Sequence, residues 1–194
     1  MDRRPGLIVL DRDGVLNQTV ANPAEPRPDS PLRAADVVVF PWVAAVLRRL
    51  TDAGYGLVVA SNQPAWAKGK TSREDLEEVH RLIVAGAQVA GAAILSSHIC
   101  LHRAEDGCHC RKPKTGLLEE AFRRHPGYAV EASWMVGDRA TDVLAGAAFG
   151  LRTALLAGAG AVNASDAALL SERQVRPSYQ GSDLRDFVDY LLGL

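Results

Sequence analysis

Apolar and polar positions along this chain keep changing period, and the changes mark out its elements. Leu7 to Leu10 is an apolar run with no polar break, as expected of a short strand buried on both faces of a parallel sheet. Val43 to Ala53 instead spaces Val43, Val46, Leu47 and Leu50 along one helical face, and Gly54 ends it. Leu57 to Ala60 reads as a second buried strand, followed by a polar loop from Ser61 to Lys70. Thr71-Ser72-Arg73-Glu74 has capping-box spacing, and Leu76, Val79, Ile83 and Val84 continue that helix on one face. Ala93 to Ile99 is a third strand, Gly116 to His125 a helix stopped by Pro126, and Trp134 to Val136 a short strand. Then come a helix from Thr141 to Phe149, a strand from Arg152 to Leu156, and an amphipathic helix from Asp183 to Leu192 with Leu184, Phe187, Val188 and Leu191 inward.

Strands alternating with helices predict an α/β fold: a Rossmann-like three-layer sandwich around a parallel sheet. The chain of 194 residues is expected to form a single domain, 1–194, with no large cap and no internal repeat. Ligands in such sheets bind beyond the carboxyl ends of the strands. Ala21 to Pro31, with four prolines, must be an extended loop, an excursion from the end of the first strand over that region.

Composition narrows the partners. Net charge is −1 with both signs interspersed, so no basic block offers a nucleic-acid surface. The longest apolar stretch, Leu82 to Leu95, is interrupted by Gly86, Gln88 and Gly91 and is too short to span a bilayer. Met1 to Gly6 runs straight into the first strand without a signal-peptide core, and the expectation is a soluble, cytoplasmic monomer that meets neither membrane nor nucleic acid.

Polar chemistry gathers where the strands end. Asp11 and Asp13 follow the first strand, and residues two apart on an extended backbone point the same way, so both carboxylates are expected to converge. Held that close, one would be driven towards protonation unless a cation sat between them. Ser61-Asn62 end the second strand and Gly137-Asp138 a later one, with Lys112 in the loop between the last two. A serine hydroxyl with backbone N–H groups suits phosphate, and a lysine adds a point charge. Asp138, with Asp142 a helical turn later, can hold magnesium from the opposite side. Three cysteines fall within eleven residues, as Cys100-x-His102 and Cys108-x-Cys110. Three thiolates and an imidazole suit tetrahedral zinc and leave no open position, so a structural ion is expected in a loop 100–110. His109 is the competing ligand in that loop.

Asp11-Arg12-Asp13-Gly14-Val15-Leu16-Asn17, Ser61-Asn62-Gln63, Cys110-Arg111-Lys112-Pro113 and Gly137-Asp138 with Asp142, taken in order, resemble the motifs of the haloacid dehalogenase superfamily. Within it, the chain is similar to the branch of histidinol-phosphate phosphatases and D-glycero-D-manno-heptose-1,7-bisphosphate 7-phosphatases, over roughly residues 6 to 157. The resemblance implies a nucleophile at Asp11 and a proton carrier at Asp13. It implies phosphoryl stabilisation by Ser61 and Lys112, and substrate contacts from Asn62, Gln63, Arg111 and Arg139. It also implies magnesium at Asp11, Asp13 (partly through its carbonyl) and Asp138, with Asp142 one sphere further out. The zinc pattern of the family uses Cys100, His102, Cys108 and Cys110.

The chain departs from the branch near the substrate: Pro64 and Trp66 alter the loop after Gln63, the proline-rich insert replaces a shorter segment, and Pro41-Trp42 replace a Pro-Gly pair. Lys68-Gly69 survive as in the heptose branch, so the resemblance favours a phosphorylated sugar over histidinol phosphate. A phosphosugar-binding protein without activity is the rival class; intact Asp11, Asp13, Lys112 and Asp138 argue against it.

Overall fold

A computed structural model of the chain describes residues 5–21, 28–158 and 162–194. Its centre is a six-stranded parallel sheet in the order β3-β2-β1-β4-β5-β6. The strands are β1 (Leu7–Leu10), β2 (Gly56–Asn62), β3 (Ile94–Cys100), β4 (Trp134–Gly137), β5 (Arg152–Leu156) and β6 (Tyr179–Gly181). Between them lie α1 (Val43–Asp52), α2 (Arg73–Gln88), α3 (Gly116–Arg124), α4 (Ala140–Phe149) and α5 (Ala164–Glu172), with α6 (Leu184–Leu192) closing the chain.

The unbroken apolar strands work as their pattern predicts. Ile8 and Leu10 of β1 pack with α1, α2 and α6 on one face, while Leu7 and Val9 pack with α3 and α4 on the other. A third group joins Val143 of α4, Leu155 and Leu170 of α5. Because chain order reverses direction at β1, neighbours β2 and β4 leave on opposite sides of it, and their connecting helices lie on opposite faces. The crevice at that switch point is where a doubly wound sheet takes its ligand.

Two expectations need correction. The helix cap sits one residue later than expected: Ser72 accepts from Asp75 N at 3.0 Å, because the Thr71 hydroxyl is committed to Leu32 O at 2.8 Å. Second, α5 and β6 were not expected; β6 is three residues without an apolar run, and α5 is alanine-rich without a distinct apolar face. Most of the proline-rich excursion, 22–27, lies outside the described residues; the chain on either side of it meets as an antiparallel bridge between Val20 and Asp29. No described helix is long and apolar enough to cross a membrane.

Candidate active site

The end of β1 is tied to β4 by a bond from Asp11 N to Val136 O at 2.8 Å, so the residues after both strands share one rim. Asp11, Asp138 and Asp142 form a group there whose ligand oxygens all lie within 4.8 Å of one another. Two glycines make this packing possible. A Cβ on Gly14, whose φ is +81°, would stand 2.5 Å from Asp138 Oδ2, and one on Gly137 would overlap the Asp142 carboxyl. Asp142 is held in the first turn of α4, accepting from Arg139 N at 3.1 Å.

Lys112 enters this group from the far side, 2 % exposed. Its Nζ donates to Asp11 Oδ1 at 3.0 Å and to Ala60 O at 2.6 Å, and pairs with Asp142 Oδ1 at 2.6 Å. Burial alone would lower the lysine's pKa, but the Asp11 and Asp142 carboxylates hold it above the ordinary value. One ammonium does not satisfy three carboxylates. Burial, then the charges of Asp11 and Asp142, push Asp138 well above the usual carboxyl range. Asp142 is raised to about 6 by burial and by Asp11, against the pull of Lys112. Asp138 Oδ1 is buried without a hydrogen-bond partner. An orphaned carboxylate oxygen inside a group of three acids fits a hard divalent cation bound through oxygen, which is the chemistry of magnesium.

Asp13 does not join that group, contrary to the expected convergence with Asp11. The extended run stops at Leu10, and the next residues turn, with Leu16 N donating to Arg12 O at 2.8 Å, so strand periodicity no longer sets direction. Its carboxylate instead accepts from Arg12 Nε (3.2 Å), Arg12 Nη2 (3.1 Å), Asn17 Nδ2 (2.9 Å), Ser30 Oγ (2.8 Å) and Gln63 Nε2 (2.6 Å). Burial pulls its pKa up, yet the Arg12 guanidinium and these donors win, and it ends below the ordinary value. What remains of Asp13 for a metal is its main-chain carbonyl. Ser30 stands where the proline-rich segment returns, so that segment does come back to the site. Arg12, Asn17 and Ser30 were missed by sequence reasoning. The available signal was Arg12 itself, a cation wedged between two acids and followed by the apolar pair Val15-Leu16, a context that demands a buried partner.

Ser61 and Gln63, both almost fully buried, lie at the end of β2 with Asn62 between them. The Asn62 amide is spent on Lys112, donating to its carbonyl at 2.9 Å and accepting from its N–H at 3.0 Å. Gln63 is likewise committed to Arg12, Asp13 and Ser61. Both side-chain amides are therefore engaged within the protein; the resemblance assigns both residues a substrate contact.

Just upstream of Lys112, Cys100, His102, Cys108 and Cys110 converge: Cys100 Sγ is 3.3 Å from Cys110 Sγ and 3.7 Å from Cys108 Sγ, and His102 Nδ1 is 3.3 Å from Cys110 Sγ. A tetrahedron with Zn–S bonds of about 2.3 Å has sulfur–sulfur edges of roughly 3.8 Å, so the four fit a zinc ion. His109 does not compete; it pairs with Glu119 at 2.8 Å. Arg111, directly after the cluster, donates to His102 O at 3.1 Å. On the other side of the site a cavity of about 500 Å³ opens beside Asp138 and Arg139 and is walled by Gln18, Thr19, Phe40 and Asn163. Trp66 is 46 % exposed on the turn after Gln63.

The HAD-hydrolase-like family model matches residues 109–187. The D-glycero-beta-D-manno-heptose-1,7-bisphosphate 7-phosphatase of Neisseria meningitidis is 35% identical over 150 residues, 77% of this chain and 76% of that one. The histidine biosynthesis bifunctional protein HisB of Legionella pneumophila is 34% identical over 136 residues, 70% of this chain but 37% of that protein. Among solved structures, a D,D-heptose 1,7-bisphosphate phosphatase from B. bronchiseptica, complexed with magnesium and phosphate, matches with a TM-score of 0.77 and 27% identity, covering 97% of this chain and 98% of that one. Motif order, sheet topology and these likenesses agree: the chain belongs to the haloacid-dehalogenase-like (HAD) hydrolases and is one of their phosphatases, a phosphoric monoester hydrolase.

Proposed function

We propose that this phosphatase hydrolyses one phosphate monoester of a small sugar bisphosphate, D-glycero-D-manno-heptose 1,7-bisphosphate, with magnesium and through an aspartyl-phosphate on Asp11. The observation that carries the mechanism is the junction at Asp11: one oxygen held by Lys112 at 3.0 Å, in a group with Asp138 and Asp142. The other oxygen attacks phosphorus as the bond to the sugar oxygen breaks; Asp13, ionised in the free protein, takes the proton that a monoanionic phosphate ester brings in and passes it to that leaving oxygen. Asp13 then takes a proton from the water that attacks the phospho-enzyme, releasing phosphate and restoring Asp11. Dividing one displacement into two lowers each barrier. Ser61 and Lys112 steady the phosphoryl oxygens, where positioning and charge neutralisation supply most of the catalysis. Asp11, Asp138 and the Asp13 carbonyl, with Asp142 further out, would hold magnesium, which would supply positive charge to the phosphoryl oxygens and let neighbouring carboxylates ionise together.

Arg111 and Arg139 flank this centre and provide cations for the second phosphate. Zinc held by Cys100, His102, Cys108 and Cys110 would be structural and would fix the approach of Arg111 and Lys112. The sugar assignment is supported by the heptose phosphatase relatives and by Lys68-Gly69.

Inorganic phosphate release is the direct test. With magnesium, kcat/KM should be highest for heptose 1,7-bisphosphate among sugar bisphosphates and histidinol phosphate; a preference for histidinol phosphate would overturn the substrate. Asp11→Asn should cut turnover by at least on the order of 1,000-fold with an unchanged circular dichroism spectrum. Retained activity in that variant would remove Asp11 as nucleophile.

A further inference from the structure

Gln63 joins two groups on different strands. Its Nε2 donates to Asp13 Oδ2 at 2.6 Å and to Ser61 Oγ at 3.0 Å, while its Oε1 accepts from Arg12 Nη2 at 2.7 Å. The amide has only one workable orientation. Arg12 can only donate, so the oxygen must face it, and the nitrogen is thereby aimed at the carboxylate and the hydroxyl. Arg12 is itself immobilised: 1 % exposed, with Nε and Nη2 both on Asp13. The main chain of Gln63 is pinned as well, its N–H donating to Cys100 O at 2.7 Å.

We infer that Gln63, oriented by the buried Arg12, is a positioning residue that sets Asp13 and Ser61 relative to each other and does not touch the substrate. The inference rests on the roles proposed above for those two residues. Its physical basis is distance: Asp13 serves the leaving oxygen and Ser61 the transferring phosphoryl, so their separation must match one ester geometry. A misplacement of about 1 Å can cost on the order of 100-fold in rate. A rigid amide donating to both, with its far end held by an arginine that also grips Asp13, closes a small ring of hydrogen bonds and removes that freedom.

Gln63→Glu keeps the length and the Arg12 contact but replaces the donor by an acceptor; Gln63→Met keeps the length and removes both polar ends. Each is measured against the unmodified protein with magnesium, on heptose 1,7-bisphosphate and on p-nitrophenyl phosphate, with thermal midpoints recorded alongside. In both variants kcat should fall by roughly 10-fold to 100-fold on both substrates, with KM changed by less than about 3-fold. A rise in KM confined to the bisphosphate, with kcat kept, would make Gln63 a sugar contact and overturn the inference; so would unchanged kinetics. Should Gln63→Glu fail to fold, the uncharged Gln63→Met decides. Absence of phosphate release by the unmodified protein on every ester would refute the phosphatase reading itself, whereas an active protein with unaffected variants refutes the positioning role alone.

Discussion

Two carboxylate neighbourhoods meet at the end of β1, and the chain treats them in opposite ways. Asp13 receives five hydrogen bonds from Arg12, Asn17, Ser30 and Gln63 and is held ionised below its ordinary pKa. Asp138 has one buried oxygen with no partner, and it and Asp142 are both driven upward by burial and by like charge. The first neighbourhood is complete as folded. The second has more negative charge than Lys112 can balance, which suits a cation from outside. On the roles proposed above the difference is apt: a group that carries protons needs a fixed orientation supplied by the protein, while a group that binds metal needs unfilled oxygens.

Matched substitutions should separate the two most sharply. Asp138→Asn removes a like charge, so the metal-free protein should hold or gain stability while turnover drops on the order of 1,000-fold and magnesium no longer raises the thermal midpoint. Asp13→Asn strands the buried Arg12 without its counter-charge and should cost about 3 kcal/mol or more whether or not magnesium is added. Denaturant titrations with and without magnesium measure both. Equal stability losses at the two positions would erase the distinction.

The cysteine loop tests the same logic with a different ion. Cys110 is pushed up to about 12 by burial and by its neighbours Cys100 and Cys108, an arrangement that resists three thiolates in the absence of a metal. Zinc should therefore contribute several kcal/mol locally, and stripping it with a chelator under reducing conditions should lower the thermal midpoint and, through Arg111 and Lys112, the turnover. The sheet signal in circular dichroism should survive, because of the four ligands only Cys100, the last residue of β3, belongs to the sheet. Metal analysis should find about one zinc per chain; protein purified without any, yet fully active, would end the assignment.

Much of this architecture was legible before any coordinates, for a physical reason. Leu7–Leu10, Leu57–Ala60 and Trp134–Val136 are buried on both faces, so burial is written into consecutive residues, and the rim residues follow directly from where those runs stop. The four residues of the cysteine loop that could hold zinc are local in sequence, so their gathering could be read there. What stayed hidden depends on long-range partners. The expected repulsion between Asp11 and Asp13 is displaced onto Asp138 and Asp142, because Arg12 neutralises Asp13 and the chain turns after the strand. Asn62 and Gln63 look like substrate ligands by position, yet their partners Lys112 and Arg12 lie 50 and 51 residues away. Likewise β6 is made a strand by pairing with β5, and its own residues carry no strand signal.

Acidity offers the finest probe of the two neighbourhoods. Burial and the Asp11 charge raise Asp142 from the ordinary 3.8 to about 6, so between those values the metal-free folded chain holds a proton that the unfolded chain has released. Lowering pH through that window therefore stabilises the metal-free protein, by at most about 1.4 kcal/mol per pH unit for one proton. Asp13 has the opposite sign: its depressed pKa contributes stability above 3.8 that is lost as pH falls through the folded value. His80 also opposes Asp142 in the same range, since burial lowers it from 6.5 to about 4 and its contribution fades as pH falls below 6.5. The sum in one condition is thus ambiguous, but the difference made by magnesium is not. Proton uptake at His80 and Asp13 occurs with or without the ion, whereas protonation at Asp142 and Asp138 competes with it. The stabilisation conferred by magnesium should shrink steadily from pH 7 to pH 5, and in Asp138→Asn there should be little left to shrink. A magnesium effect that stays constant across that range would mean the three carboxylates are not where the ion and the proton compete.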